Sequence, residues 1–204
     1  MTHLTIPFIA HCTSLLWLLL GAVWLGSAPF SKRTMHRQSV SSRMEQGIVL
    51  FIGAFLLFGS PSYPDWLNQP VFTVTIPIAL LGLALAVCGV AFSIWARFIL
   101  GDNWSGTVTL KQNHTLIVLG PYRIVRHPIY TGILAALLGA ALEYGLLRSF
   151  LGVLVAAGGL LMKINTEEQF MYQRFGRAVS WCLSEPVARF QRWITSLSRY
   201  LSMA

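Results

Sequence analysis

The chain has 204 residues, of which 55% are hydrophobic and 11% charged, and its mean hydropathy is +0.62. Soluble domains carry about a quarter charged residues, so these figures exclude an ordinary water-soluble domain and a disordered chain alike. They leave one domain solvated chiefly by a bilayer. A net charge of +8 raises nucleic acid as a partner, but no basic soluble module exists to carry that reading. Cys12, Cys88 and Cys182 are odd in number and far apart, so they predict packing residues and neither a disulfide framework nor a metal site.

The first apolar run, Leu4 to Ala28, has no Lys or Arg before it, which favours a retained span over a cleaved signal peptide. The second, Gly47 to Ser60, falls short of the about 20 residues a span needs, with Tyr63 and Trp66 extending it as an interfacial belt. The third runs from Val74 to Leu100, and the stretch Gly101 to His127 is too mixed for lipid. Ile129–Leu142 and Leu146–Met162 are separated only by Glu143, Tyr144 and Gly145, which predicts a tight helical hairpin. Lys163 to Ala204 predicts a helix leaving the membrane, then an amphipathic tail over Val187–Leu201. The expected fold class is all-α: a polytopic membrane protein of five transmembrane helices with a C-terminal hairpin. Gly139, Gly158 and Gly159 are expected to permit close helix packing, and His11 and Glu143 are given no functional role.

With five alternating spans, one side holds segments 29–46, 97–128 and 163–204, and these carry every basic residue except Arg148. The positive-inside bias then puts the N-terminus outside and the C-terminus in the cytoplasm. Attraction to anionic lipid accounts for the rest of the charge.

Ionisable groups that remain near span ends are functional candidates, and here they gather in two strips, His114–Gly132 and Lys163–Gly176. The strips bracket the hairpin, whose ends return to one side, so they must meet. Gly120-Pro121 signals a turn. Pro128 suits the first position of a helix and leaves His127 near its N-cap, where free N–H groups favour a carboxylate or another anion. Lys163 and Glu167, four apart, share one helix face.

The run Gly-Pro-Tyr-Arg-x-x-Arg-His-Pro-x-Tyr-x-Gly over 120–132, followed by Glu-Glu-x-x-Met-x-x-x-Phe-Gly over 167–176, resembles the isoprenylcysteine carboxyl methyltransferase family. That family is grouped with membrane methyltransferases acting on phospholipid amines. Ala96-Arg97, Leu100-Gly101 and Asn103-Trp104-Ser105 are similar to its bacterial members, so the likeness covers roughly residues 90 to 176. It implies S-adenosyl-L-methionine as the methyl donor, in a nearly enclosed cytoplasmic pocket between the two strips. By position, His114, Thr115, Leu116 and Ile117 would line the adenosyl part. Tyr122, His127, Pro128, Ile129 and Tyr130 would hold the remainder, and Glu167 would meet polar groups of the donor. Lys163 falls where the family carries a basic residue facing the acceptor. On this division residues 1–73 supply the first two spans, 74–176 a catalytic core and 177–204 the tail. Val179 and Cys182 stand where the family usually carries tyrosines.

Methyl transfer from a sulfonium is an in-line displacement with an activated leaving group, so the protein must align, exclude water and neutralise charge. A carboxylate acceptor is already ionised at neutral pH and needs only a cation to position it, the role open to Lys163 and Arg126. An amine acceptor must first lose a proton, for which Glu168 or His127 is the candidate base. The first reading is O-methylation of a lipophilic carboxylate such as a prenylated cysteine. N-methylation of a phospholipid amine and a non-catalytic cofactor-binding membrane subunit stand as alternatives. The expected partners are the lipophilic or prenylated-peptide acceptor and membrane lipids, with no nucleic acid and no metal.

Overall fold

A computed structural model describes residues 2–30, 34–37, 39–59, 63–101, 109–111 and 119–175. The strip His114, Thr115, Leu116 and Ile117, the positions Val179 and Cys182, and the tail Val187–Leu201 lie outside these residues. Five helices make up the described fold: α1 (Thr2–Ser27), α2 (Val40–Phe58), α3 (Ile76–Leu100), α4 (Pro128–Tyr144) and α5 (Leu147–Phe175). Stretches of α1, α2, α3 and α5 are long and apolar enough to cross a bilayer, and α4 adds a shorter apolar helix of 17 residues. The fold is therefore that of an all-α polytopic membrane protein, ending in the expected hairpin.

Two details differ from the sequence expectation. α2 starts seven residues before the apolar run, because the Ser39 hydroxyl accepts the backbone N–H of Ser42 at 3.2 Å and caps a polar first turn. The strands β1 (Thr34–Arg37) and β2 (Thr109–Lys111) form an antiparallel ribbon that the all-helical reading does not anticipate. The ribbon joins the α1–α2 connection to the α3–α4 connection.

α3 and α4 pack most closely, along a seam of small residues repeated every seven positions on both helices. A Cβ on Gly82 would stand 2.6 Å from the Gly139 carbonyl oxygen, and one on Gly89 would stand 2.7 Å from the Ala136 nitrogen. Such a repeat keeps the same faces together along the crossing. α2 packs on α5 through Gly53 against Gly152, and Gly159 faces Val49 and Leu50. Gly139 and Gly159 thus lie at close approaches, whereas Gly158 has nothing within 4 Å.

Away from the two polar strips, the hairpin turn is laced to the α2–α3 connection. Gly145 takes a left-handed conformation (φ 64°) that ends α4, and its carbonyl accepts the Val71 N–H at 2.8 Å. Arg148, at 5% exposure, donates to Asn68 Oδ1 at 3.0 Å and to the carbonyls of Leu56 and Leu57 at 2.9 and 3.1 Å. Its guanidinium lies over the rings of Tyr63 and Tyr144. The Leu56 and Leu57 carbonyls are among those a helix end leaves without intrahelical partners, so Arg148 caps α2. Glu143 is buried and accepts the Thr13 hydroxyl at 2.6 Å, tying α4 to α1.

Candidate functional site

The site is built at the start of α4. Gly120, in a left-handed conformation (φ 58°), opens a 3-10 turn over Gly120–Arg123 with Pro121 fully buried. Pro128 then begins α4, and the His127 carbonyl accepts the Thr131 N–H at 3.0 Å and the Thr131 hydroxyl at 3.1 Å. α3 fixes this first turn from behind. Its buried Ser93 donates to the Ile129 carbonyl at 3.0 Å, and Ala96 and Ile129 form a core cluster joined by Tyr122, Tyr130 and Trp24.

Because α3 holds the backbone of that turn, the His127 side chain does not cap its own helix. It turns to α5 instead. Nε2 lies 3.2 Å from Glu168 Oε1, and Nδ1 lies 3.6 Å from Glu167 Oε2. Tyr130 donates its hydroxyl to the other Glu167 oxygen in a short hydrogen bond, and its ring stacks on the imidazole at 5.8 Å and 14°. Lys163 Nζ lies 5.5 Å from the centroid of the Tyr130 ring. Lys163, Glu167 and Glu168 from one strip and His127 and Tyr130 from the other are thus brought together. Pro128 and Ile129 are buried behind them, and Tyr122 is half-buried in the same cluster. Arg126 is exposed and joins no hydrogen bond or ion pair among the described residues.

A neutral imidazole carries one N–H, whereas carboxylates face both ring nitrogens here, so only the imidazolium satisfies both. Burial opposes that charge, but hydrogen bonds to Glu167 and Glu168 and the charges of both carboxylates outweigh it and raise the His127 pKa. For Tyr122, burial and then the Glu167 charge push the phenol upward, partly offset by Arg97, so it stays a donor at neutral pH. The cluster therefore combines acceptors for a cation, aromatic faces and a nearby ammonium. The two carboxylates sit at opposite nitrogens of one ring, and no group of three or more His, Cys, Asp and Glu is arranged to hold a metal ion among the described residues.

Three supporting residues have no role assigned from the sequence, although Arg97 stands within the family resemblance. Ser93 is hidden in an apolar run. Gln46, at 5% exposure, donates to Thr166 Oγ1 at 2.9 Å. Arg97, at 3% exposure, donates to the carbonyls of Ser27 and Gly101, each at 2.9 Å, and so ties the ends of α1 and α3. Arg97 alone carried a signal, being the single cation within the run Val74–Leu100.

The family model described as phospholipid methyltransferase matches residues 77–178, a span that takes in all but the first residue of α3, the whole of α4 and both motifs of the candidate site. The cobalt-zinc-cadmium resistance protein CzcN of Cupriavidus metallidurans is 30% identical over 142 residues, which is 68% of this chain and 58% of that protein.

Proposed function

The chain belongs to the phospholipid methyltransferase family, and on that premise we propose that it is a membrane-embedded, S-adenosyl-L-methionine-dependent methyltransferase. Its first acceptor class is the carboxylate of a lipophilic molecule such as a prenylated cysteine. The observation that carries the reading is the contact of His127 with Glu167 and Glu168, which joins two motifs 40 positions apart in one cluster.

The residues fit the donor chemically. S-adenosylmethionine combines a sulfonium and an ammonium with a carboxylate and an adenosine, and it supplies an activated methyl group. Glu167, aimed by Tyr130 and His127, would meet the cationic groups, with Tyr122, Pro128, Ile129 and Tyr130 forming the aromatic and apolar backing. His114, Thr115, Leu116 and Ile117 complete the proposed donor set. Lys163, beside Tyr130, would orient an acceptor carboxylate, and the exposed Arg126 would act at the entrance. Residues 74–176 form the proposed catalytic core, with the N-terminus outside, the C-terminus cytoplasmic and the inner membrane of a bacterium as the location.

The second reading is N-methylation of a phospholipid amine. It is favoured by Glu168, which is 35% exposed at the edge of the cluster and so open to an acceptor ammonium that must lose a proton. Labelled methyl transfer by the reconstituted protein into a total lipid and peptide extract, followed by base treatment, tests both. Base-labile label supports the carboxylate acceptor, and base-stable label supports the amine. Glu167→Gln is expected to weaken donor binding roughly tenfold or more, since a hydrogen bond to a charged group contributes about 1.5–3 kcal/mol. Unchanged donor affinity in titration calorimetry would remove Glu167 from the site. Donor binding without turnover on any lipid acid or amine would favour a non-catalytic subunit.

A further inference from the structure

We propose that Gln46, outside the family-matched segment, is a positioning residue that sets the face of α5 carrying Glu167 and Glu168. α5 leans chiefly on α2 and less on α4, so the rotation of α5 about its axis depends on α2. Most of the α2–α5 contact is made by small and aliphatic groups, Gly53 against Gly152 and Gly159 against Leu50. Such packing brings the two helices close but supplies no hydrogen bond between them. At the site end the contact becomes directional. Gln46 Nε2 donates to Thr166 Oγ1 at 2.9 Å and to Ser42 Oγ at 3.3 Å, while the Thr166 hydroxyl donates to the Met162 carbonyl at 2.9 Å.

Thr166 immediately precedes Glu167 and lies one turn beyond Lys163 and Met162. Turning α5 far enough to move its carboxylates from His127 would also pull Thr166 from Gln46, leaving a buried amide without that partner. Giving up one hydrogen bond where no water replaces it is costly for a buried amide, so the amide resists the rotation. The ribbon β1–β2 adds a second tie, since β1 ends three residues before α2 and β2 runs beside α5. The first turns of α2 and the ribbon before them therefore brace α5.

This proposal rests on the His127–Glu167 cluster being the donor site, and the experiment separates the two. The full chain is placed in lipid nanodiscs and titrated with S-adenosylmethionine across pH, with thermal unfolding followed in parallel. If Glu167→Gln leaves binding unchanged, the donor-site reading fails and this proposal fails with it. If Glu167→Gln weakens binding, Gln46→Leu is expected to weaken it about five- to twentyfold. The pH midpoint of binding should also move down towards that of an ordinary imidazole as the His127–glutamate contact loosens. Thr166→Val should reproduce both effects, Thr166→Ser should restore wild-type behaviour, and the double variant Gln46→Leu/Thr166→Val should be no worse than either alone. A lowered unfolding temperature with unchanged affinity and pH midpoint would overturn the assignment. Should Gln46→Leu not fold, the Thr166→Val and Thr166→Ser pair gives the same decision.

Discussion

The two ends of the bundle hold buried or half-buried charge in opposite ways. At the hairpin turn, Arg148 is enclosed by neutral partners: two helix carbonyls, the Asn68 amide oxygen and two aromatic rings. Among the described residues it has no counter-ion to exchange with, so it closes a helix end and pins a loop. At the other end, His127 faces two carboxylates that are 27% and 35% exposed, and every member of the group can change protonation or partner. Charge held by dipoles builds structure, whereas charge held by counter-charge at the edge of solvent is available for binding and chemistry.

The largest effect should come from breaking the static end. Arg148→Leu removes three charge-assisted hydrogen bonds and leaves two helix carbonyls buried without them, a loss of about 2–6 kcal/mol at about 1–3 kcal/mol for each unsatisfied carbonyl. Thermal unfolding in detergent should show it, while donor affinity per folded molecule stays near wild type. A smaller loss, about 1–3 kcal/mol, is expected for Gly132→Ala, whose Cβ would collide with the Ser93 hydroxyl and the Gly89 carbonyl. Because Ser93 also holds Ile129, this variant should lower donor affinity as well as stability, showing that the exchangeable end sits on a rigid seat.

The pH profile sharpens the contrast next. The raised His127 pKa means that its imidazolium contributes stability fully below the ordinary value near 6.5 and loses that contribution as pH rises through the raised native value. The unfolding-temperature gap between wild type and His127→Gln should therefore shrink from pH 5.5 to 9, whereas the gap for Arg148→Leu should stay constant. The smallest effect belongs to Gly158→Ala, on a helix face with no neighbour within 4 Å. It should be neutral or stabilise by up to about 1 kcal/mol through helix propensity, and a large loss would mean an unrecognised contact there.

Much of this plan is legible in the residues, and the failures have physical causes. Long apolar runs mark α1 and α3 to within about two residues because Arg97 is the one Lys, Arg, Asp or Glu inside them. The start of α2 is hidden because Ser41, Ser42, Arg43, Glu45 and Gln46 look like loop, yet a Ser39 cap and a buried amide make them helix. β1 and β2 are too short for an alternating pattern to register. That the strips around His127 and Glu167 share one end follows from the hairpin, since Gly145 returns α5 beside α4, but the face that α5 turns towards His127 does not. Which glycines meet does not follow. Gly82 and Gly89 have meaning only once Gly139 and Gly132 are known to be opposite them, and a single strand of text does not say which helices are neighbours. Arg148 likewise appears in the sequence merely as the one cation on the wrong side.

The brevity of α4 sets a depth. Its 17 residues rise about 26 Å, less than the about 30 Å of a typical hydrocarbon layer. Were the Gly145 turn to rest at one boundary, the start of α4 would fall near the other, while α5, at 29 residues, has the length to carry on past it. Acyl-chain length then becomes a control variable. A thicker leaflet would bring lipid closer to the imidazole and its two carboxylates, a thinner one would bring water, and the same polypeptide would work at a different altitude in each.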